Sequence, residues 1–423
     1  MRTLFLILAL LCGHAVLAAQ TPLDDRLTDV CKILTRMPPA YDSLFTTDFL
    51  KQVPKFQLVS AVGQLTSIAG HCVSTTVTSR KNAYSLEANA VTDSGYVIPV
   101  TLSIQATPPH RISGLFFGAP QKIATSFNTV IDDLKSLEGA TSLCVMELNS
   151  DSTLAAHNAD VSMPVGSTFK LYVLGELVRA ITSDERHWED IVYLDTNHYS
   201  LPSGELQDWP HGSPLTLHTL AGKMISVSDN TATDHLINLL GREKIERMQS
   251  TMGHHRPELN VPFLTTREMF ALKFSHGGAY GRRFIAAQDR HAVLSAAEDS
   301  VRLSDVVFAD TVSHIEDIEW FATTRDLCKA MDWLRRRSIS FADPQILHIL
   351  GINTGVDVDE SAWKTVGYKG GSETGVLNLT FVLQSKSKHW YAVSLSWMNT
   401  TKDVDLTTFI GIASSTITLL QSQ

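Results

Sequence analysis

The sequence carries no basic stripe. Its 35 Lys and Arg residues are outnumbered by 44 Asp and Glu, for a formal net charge of −9 over 423 residues. A protein that neutralises phosphates needs the opposite balance, so nucleic acid is excluded as a partner. The longest basic run, Arg335-Arg336-Arg337, reads as a solvated helix end. Beyond the first residues there is no uninterrupted run of about 18 apolar residues, so no membrane-spanning helix is predicted. Neither a Cys-x-x-Cys nor a His-x-x-x-His pair occurs, so no metal site and no cofactor is expected. Internal repeats and low-complexity tracts are absent too.

What is present begins with an export signal. Arg2 precedes an apolar run from Leu4 to Leu11, and Val16 and Ala18 stand where small residues precede a cleavage site. The pattern predicts a signal peptide over residues 1–18 and a periplasmic or secreted mature protein. Four cysteines survive cleavage: Cys31, Cys72, Cys144 and Cys328. An oxidising compartment permits disulfides, and Cys31–Cys72 is favoured because both fall in one domain; four buried thiols are the alternative.

The apolar fraction of 44% and the length support two or three packed domains. Residues 19–118 read as a small α+β unit. Helices are predicted over 23–37 and 42–52, the first ended by Pro38-Pro39. Strands follow, with Ile98, Val100, Leu102 and Ile104 alternating onto one face. Gly118-Ala119-Pro120 marks a boundary, and 119–423 form the second unit. There a helix over 123–137 precedes strands at 141–148 and 153–158. A long helical region follows, then strands at 376–383 and 390–397 and a helix over 406–420. Strands at both ends with helices between them imply one antiparallel sheet built from distant segments, an α+β class. Glu258 and Glu268 read as structural, His254-His255 as a surface turn, and Trp209 and Trp390 as core residues. The stretch 276–318 carries no recognisable motif.

Three short motifs carry the chemistry. In Ser167-Thr168-Phe169-Lys170 a Ser and a Lys three apart share a helix face. A desolvated Lys near a second cation loses its proton and can take one from the hydroxyl. Ser-x-x-Lys recurs at Ser361/Lys364 and Ser385/Lys388, in strand-like or loop regions. Ser228-Asp229-Asn230 occurs once, between two helices; its hydroxyl can relay a proton and its amide can hold a carbonyl. Lys369-Gly370-Gly371-Ser372 precedes a strand, and the N–H of Ser372 can pair with that of Ser167 as an oxyanion hole.

Ser-x-x-Lys, Ser-Asp-Asn and a Lys-Thr-Gly-like triplet in this order resemble the class A serine β-lactamases and penicillin-binding proteins, over about residues 122–423. Flanking phrases agree, among them Met163-Pro164-Val165-Gly166 and Met224-Ile225-Ser226-Val227. The two-domain layout, with Leu201-Pro202-Ser203-Gly204 and the stretch from Pro262 to Phe270, resembles a subgroup that joins an NTF2-like or steroid-isomerase-like cone to a β-lactamase-like αβα domain, as in the clavulanic acid gene cluster. The resemblance implies Ser167 as nucleophile, Lys170 as base and Ser228 as proton relay. It implies Asn230, Lys369 and Ser372 as substrate ligands, with a small-molecule β-lactam, ester or amide as substrate.

Two departures qualify it. Arg256-Pro257-Glu258-Leu259-Asn260 stands where class A enzymes carry Glu-Pro-Glu-Leu-Asn, so the water-activating Glu is replaced by a cation and slow deacylation is expected. Gly370 replaces the hydroxyl residue after the strand Lys, and Glu373 adds a negative charge nearby. The competing readings are an esterase or D,D-peptidase on the same fold and a penicillin-binding or sensing protein without turnover.

Overall fold

A computed structural model describes residues 21–36, 41–118, 120–122, 124–308, 311–356, 358–359 and 361–421. The predicted signal peptide lies outside the described residues. The chain divides into two compact units, 1–123 and 124–423.

The first unit opens with α1 (Pro22–Ile33). Thr21 and Asp24 form a capping box and Pro22 occupies the first turn, which sets the start. Leu23, Leu27, Val30 and Ile33 recur at helical spacing and are buried. The helical stretch predicted at 42–52 is broken into α2 (Tyr41–Leu44) and α3 (Thr47–Gln52), because Thr46 caps a new helix through its hydroxyl. A helix absent from the sequence reading, α4 (Lys55–Ala69), follows Pro54. Four strands then run as an antiparallel meander: β1 (Cys72–Asn82), β2 (Ser85–Thr92), β3 (Tyr96–Ile104) and β4 (Ile112–Phe117), with β5 (Gln121–Lys122) beside β3. Ile98, Val100, Leu102 and Ile104 are all buried against the helices. Cys31 and Cys72 are joined as a disulfide, tying α1 to the start of β1.

The second unit is a three-layer αβα sandwich. After α5 (Phe127–Ser136) come β6 (Ala140–Glu147), β7 (Ser152–His157) and the short β8 (Met163–Pro164). A helical block follows: α6 (Lys170–Thr182), the hairpin β9 (Ile191–Tyr193) and β10 (Pro214–Thr216), α7 (Leu217–Ser226), α8 (Asn230–Leu240), α9 (Arg242–Thr251), α10 (Thr266–Phe274), α11 (Ala279–Ala286) and α12 (Arg290–Ser300). Then come β11 (Phe321–Ala322), α13 (Thr324–Ser340), α14 (Gln345–Gly351), β12 (Trp363–Glu373), β13 (Val376–Ser385), β14 (Trp390–Met398) and α15 (Leu406–Leu420). The main sheet has the order β12-β13-β14-β6-β7 and is antiparallel throughout. Helices α5 and α15 pack on one face through Val130, Leu134, Phe409, Ile412 and Ile417. The helical block covers the other face, where Cys144 and Met146 meet Leu171, Leu174 and Leu334. Cys144 and Cys328 are free thiols in that core.

Two features of this layout place the site. Strand β12 is an edge of the sheet. In addition, β8, just before Ser167, pairs with β11, and Val165 N–H bonds the Trp320 carbonyl at 3.0 Å. The segment between α9 and β11 is therefore a long excursion that returns beside the Ser167 turn.

Candidate active site

Residues 166–169 form a 3₁₀ turn that runs directly into α6. Gly166 has φ of +48°, a left-handed conformation that favours glycine. The turn holds Ser167 half-buried and sends Lys170 inward, where its side chain is fully buried. Lys170 Nζ donates to the Ser228 carbonyl at 2.7 Å and to Asn230 Oδ1 at 2.6 Å, and lies 3.1 Å from Ser228 Oγ. No Asp or Glu oxygen among the described residues lies within 4 Å of it. Burial and, after it, the nearby Lys369 hold the Lys170 amine well below the ordinary lysine range.

The Ser-Asp-Asn turn is built by its own middle residue. Asp229 caps α8 through Ala232 N–H at 2.8 Å, and its other oxygen accepts from Glu205 and Leu206 N–H at 2.8 and 3.0 Å. Those bonds wrap the 201–206 segment around the turn. Gly204 is required there, because a Cβ would run into the Asp229 carboxylate. Ser203 supports the same turn by donating to the Ser228 carbonyl at 2.7 Å. Asn230 Nδ2 donates to the Leu201 carbonyl at 2.7 Å, which fixes its Oδ1 toward Lys170. Ser228 sits at φ +57°, a strained value for a non-glycine residue, and presents its hydroxyl between two amines.

The second amine is Lys369 on β12. It is 2% exposed, lies 3.2 Å from Ser228 Oγ and also bonds the Gly370 carbonyl. Burial pushes its pKa down to about 7. Two residues on, Gly371 and Gly166 let strand and turn meet. A Cβ at Gly371 would strike the Val165 carbonyl and lie 2.7 Å from Ser167 N; one at Gly166 would lie 2.9 Å from Ser372 N. In an antiparallel edge strand alternate residues turn their N–H outward. Glu373 lies opposite Val376 across a two-residue turn, so Ser372 is one of these. The two predicted oxyanion donors are thus brought side by side.

The structure therefore joins Lys170, Ser228, Asn230 and Lys369 in one hydrogen-bonded cluster and brings the backbone of Ser167 beside that of Ser372. The Ser361/Lys364 and Ser385/Lys388 pairs lie outside it, at the start of β12 and the end of β13.

Among neighbouring residues, the surface-turn reading of His254 and the core reading of Trp209 are corrected. Glu373 is not a free surface carboxylate. Its carboxyl is packed against Lys273 (2.7 Å) and Glu319, and burial beside that second carboxylate raises its pKa well above the usual range. Lys273 pairs with Glu319 at 3.0 Å, both side chains being fully buried. Gly370 has a steric reason, since a Cβ there would collide with the Tyr368 hydroxyl. His254 is buried, donating to the Phe321 carbonyl at 2.7 Å, and only His255 is exposed. Trp209 is 39% exposed, because it ends a short surface turn, whereas Trp390 is buried. Glu258 makes an exposed ion pair with Arg256 at 3.1 Å, and Glu268 is held by Arg242 and the α10 capping box.

His254, His255 and Asp326 bring one ligand atom each within 4.8 Å of one another. Asp326 already accepts from Thr323 and His255 N–H and lies 2.9 Å from His255 Nδ1, while His254 Nδ1 accepts from Arg256 N–H. The cluster is spent on joining α13 to the 254–256 turn. Sequence reasoning missed Ser203, Tyr368, Trp320 and the Lys273–Glu319 pair. Only the Pro-Ser-Gly phrase and the proximity of Glu373 to the strand motif hinted at any of them.

With this geometry in place, known proteins can be compared. The fold of the second unit is β-lactamase-like. PBP-A matches with a TM-score of 0.50 at 15% identity, over 70% of this chain and 96% of its own. A β-lactamase from Chitinophaga pinensis DSM 2588 matches with a TM-score of 0.50 at 14% identity, over 71% of this chain and 99% of its own. The TLA-1 extended-spectrum β-lactamase gives the same score at 10% identity, over 70% and 96%. Residues 122–313 match the model of the β-lactamase enzyme family, a span that ends before Lys369. No match was found among curated protein sequences.

Proposed function

We propose that the β-lactamase-like unit is a serine hydrolase in which Ser167 is acylated by a β-lactam, ester or amide and then deacylates slowly. The observation that carries this is the position of Ser228 Oγ, 3.1 Å from Nζ of Lys170, the residue one turn after Ser167, and 3.2 Å from Lys369 Nζ. A neutral Lys170 takes the Ser167 proton as Oγ attacks the carbonyl carbon. The oxyanion is met by the N–H groups of Ser167 and Ser372. As the tetrahedral adduct collapses, the proton passes through Ser228 to the leaving nitrogen or oxygen. Asn230 holds the substrate carbonyl side, and Lys369 lowers the cost of negative charge at Ser228.

Slow deacylation follows from what surrounds Lys170. Its partners are a carbonyl, a hydroxyl and an amide, with no carboxylate among them to activate water. Time-resolved intact mass after mixing with penicillin should show a persistent adduct, absent in Ser167→Ala. Rapid return to the free mass would overturn the slow step; an adduct on Ser167→Ala would overturn the nucleophile. The same environment favours a second reading, a penicillin-binding protein that acylates once. Nitrocefin and a panel of p-nitrophenyl esters separate the two by whether any of them is turned over. The first unit we read as an NTF2-like binding or dimerisation module. The Cys31–Cys72 disulfide supports an exported protein.

A further inference from the structure

The Ser167 turn and the end of β12 come from distant parts of the chain, and the glycines where they touch leave no side chain there to set their spacing. Trp320 holds the turn from one side. Its carbonyl accepts from Val165 N–H at 3.0 Å, and its ring stacks on Phe169 with centroids 3.6 Å apart. Residues 165 and 169 bracket Ser167, so one residue grips the turn at both ends. The Trp320 indole N–H donates to the Leu264 carbonyl at 3.1 Å, which fixes the ring in turn.

The residue before Trp320 is Glu319, and the residue after Ser372 is Glu373. One cation joins them. Lys273 Nζ donates to Glu319 Oε1 at 3.0 Å and to both Glu373 oxygens at 2.7 Å. The Lys273 and Glu319 side chains are fully buried, and that of Glu373 is 10% exposed. Solvent screens such pairs little, and removing one partner leaves the others uncompensated. Lys273 itself stands on a fixed base. Its helix α10 begins on Asp234 of α8, whose carboxylate accepts from Thr266 and Arg267 N–H at 2.7 and 2.9 Å. Helix α8 is the one that Asn230 opens. The turn, the edge strand and the Ser-Asp-Asn helix are therefore all referred to one ammonium group.

We propose that Lys273 is a positioning residue for the oxyanion hole. Through Glu319 and Trp320 it holds the Ser167 turn, through Glu373 it holds Ser372, and so it fixes the distance between their two N–H groups. The use made of those N–H groups rests on the serine-hydrolase reading. Lys273 touches no substrate in this role; it acts through backbone that other residues carry.

The test separates position from stability. Lys273→Met alone leaves two buried carboxyls without their cation. Lys273→Met combined with Glu319→Gln and Glu373→Gln keeps the volume of the cluster and leaves no buried charge, so this triple variant should fold, as its melting curve will show. Time-resolved intact mass over a range of penicillin concentrations gives a limiting acylation rate and a half-saturating concentration. In the triple variant the limiting rate should fall about ten- to 100-fold, as for a small misplacement of reacting groups, with the half-saturating concentration unchanged. A limiting rate that does not fall, or that falls only together with weaker half-saturation, overturns the role. Should the triple variant not fold, Glu319→Gln, which keeps Lys273 paired with Glu373, is read in the same way. If penicillin does not acylate the wild-type protein, the serine-hydrolase reading fails by itself. Hydrogen exchange of segments 163–169 and 369–375 then decides: faster exchange in both, with 140–147 unchanged, sustains the tie through Lys273, and any other pattern overturns it.

Discussion

At the scale of single residues, the proposed chemistry turns on two amines whose pKa values burial lowers. Ser228 Oγ lies between them, so each step that moves a proton through this hydroxyl is felt by both. In the proposed mechanism Lys170→Ala removes the proton acceptor, and acylation measured by intact mass should slow at least about 100-fold. Lys369 gives a second expectation. Its pKa is about 7 in the folded protein against 10.5 when exposed. Between those values the unfolded chain binds more protons than the native one, so stability rises with pH. Lys369→Met carries no such charge. Its melting temperature should exceed that of the wild-type protein below pH 7, with the gap narrowing from pH 7 toward 10.5. A gap that does not vary with pH would show that Lys369 is not titrating near neutrality. The six site residues were legible because each motif is short, contiguous and chemically distinct. Ser203, Tyr368 and Lys273 were not, because they act across 25, 2 and 100 residues on backbone or steric features that leave no spacing pattern.

At the scale of elements, the decisive contact is between a strand and a turn with no side chain in the way. Gly371→Ala would drive a methyl group against the Val165 carbonyl and part Ser167 N from Ser372 N. Acylation should fall about 10²- to 10³-fold, the cost of losing one oxyanion donor, in a protein whose circular dichroism is unchanged. A rate within three-fold of wild type would mean that strand and turn accommodate the methyl group. The buried ion cluster makes a different prediction. Lys273→Met leaves two carboxyls facing one another without their cation, and chemical denaturation should report a loss of about 3–5 kcal/mol. Strands β6, β13 and β14 and helices α8 and α15 lie close to where the sequence put them, because a sheet covered on both faces gives long apolar runs, whereas β12, which contains Lys369–Ser372 rather than following them, was not read as a strand. Helix α4 escaped, because Leu58, Val62 and Ala69 are its only buried residues and their signal is diluted by exposed Phe56, Val59 and Ile68. The excursion was also opaque: Asp234 and Glu373 anchor it through polar contacts to Thr266, Arg267 and Lys273 rather than through a repeating apolar face.

At the scale of the whole molecule, two units hold together by different means. The first has a modest core and a disulfide that closes a loop of 41 residues. Its loss in Cys31→Ser with Cys72→Ser should lower the stability of that unit by about 4 kcal/mol. Differential scanning calorimetry should show the transition of residues 21–122 move down while that of the second unit stays in place. The order of strands in the second unit has a consequence for how the protein comes into being. Strand β6 is hydrogen-bonded to β14, more than 240 residues further along, and the strand that brings Lys369 and Ser372 to the site begins only at residue 363. Contacts of such long sequence separation form slowly. As the chain emerges, the first unit can mature alone, whereas the hairpin of β6 and β7 must wait with one side bare until almost the last residues arrive. That interval is when a chaperone that covers exposed strand edges would matter most to the yield of folded protein.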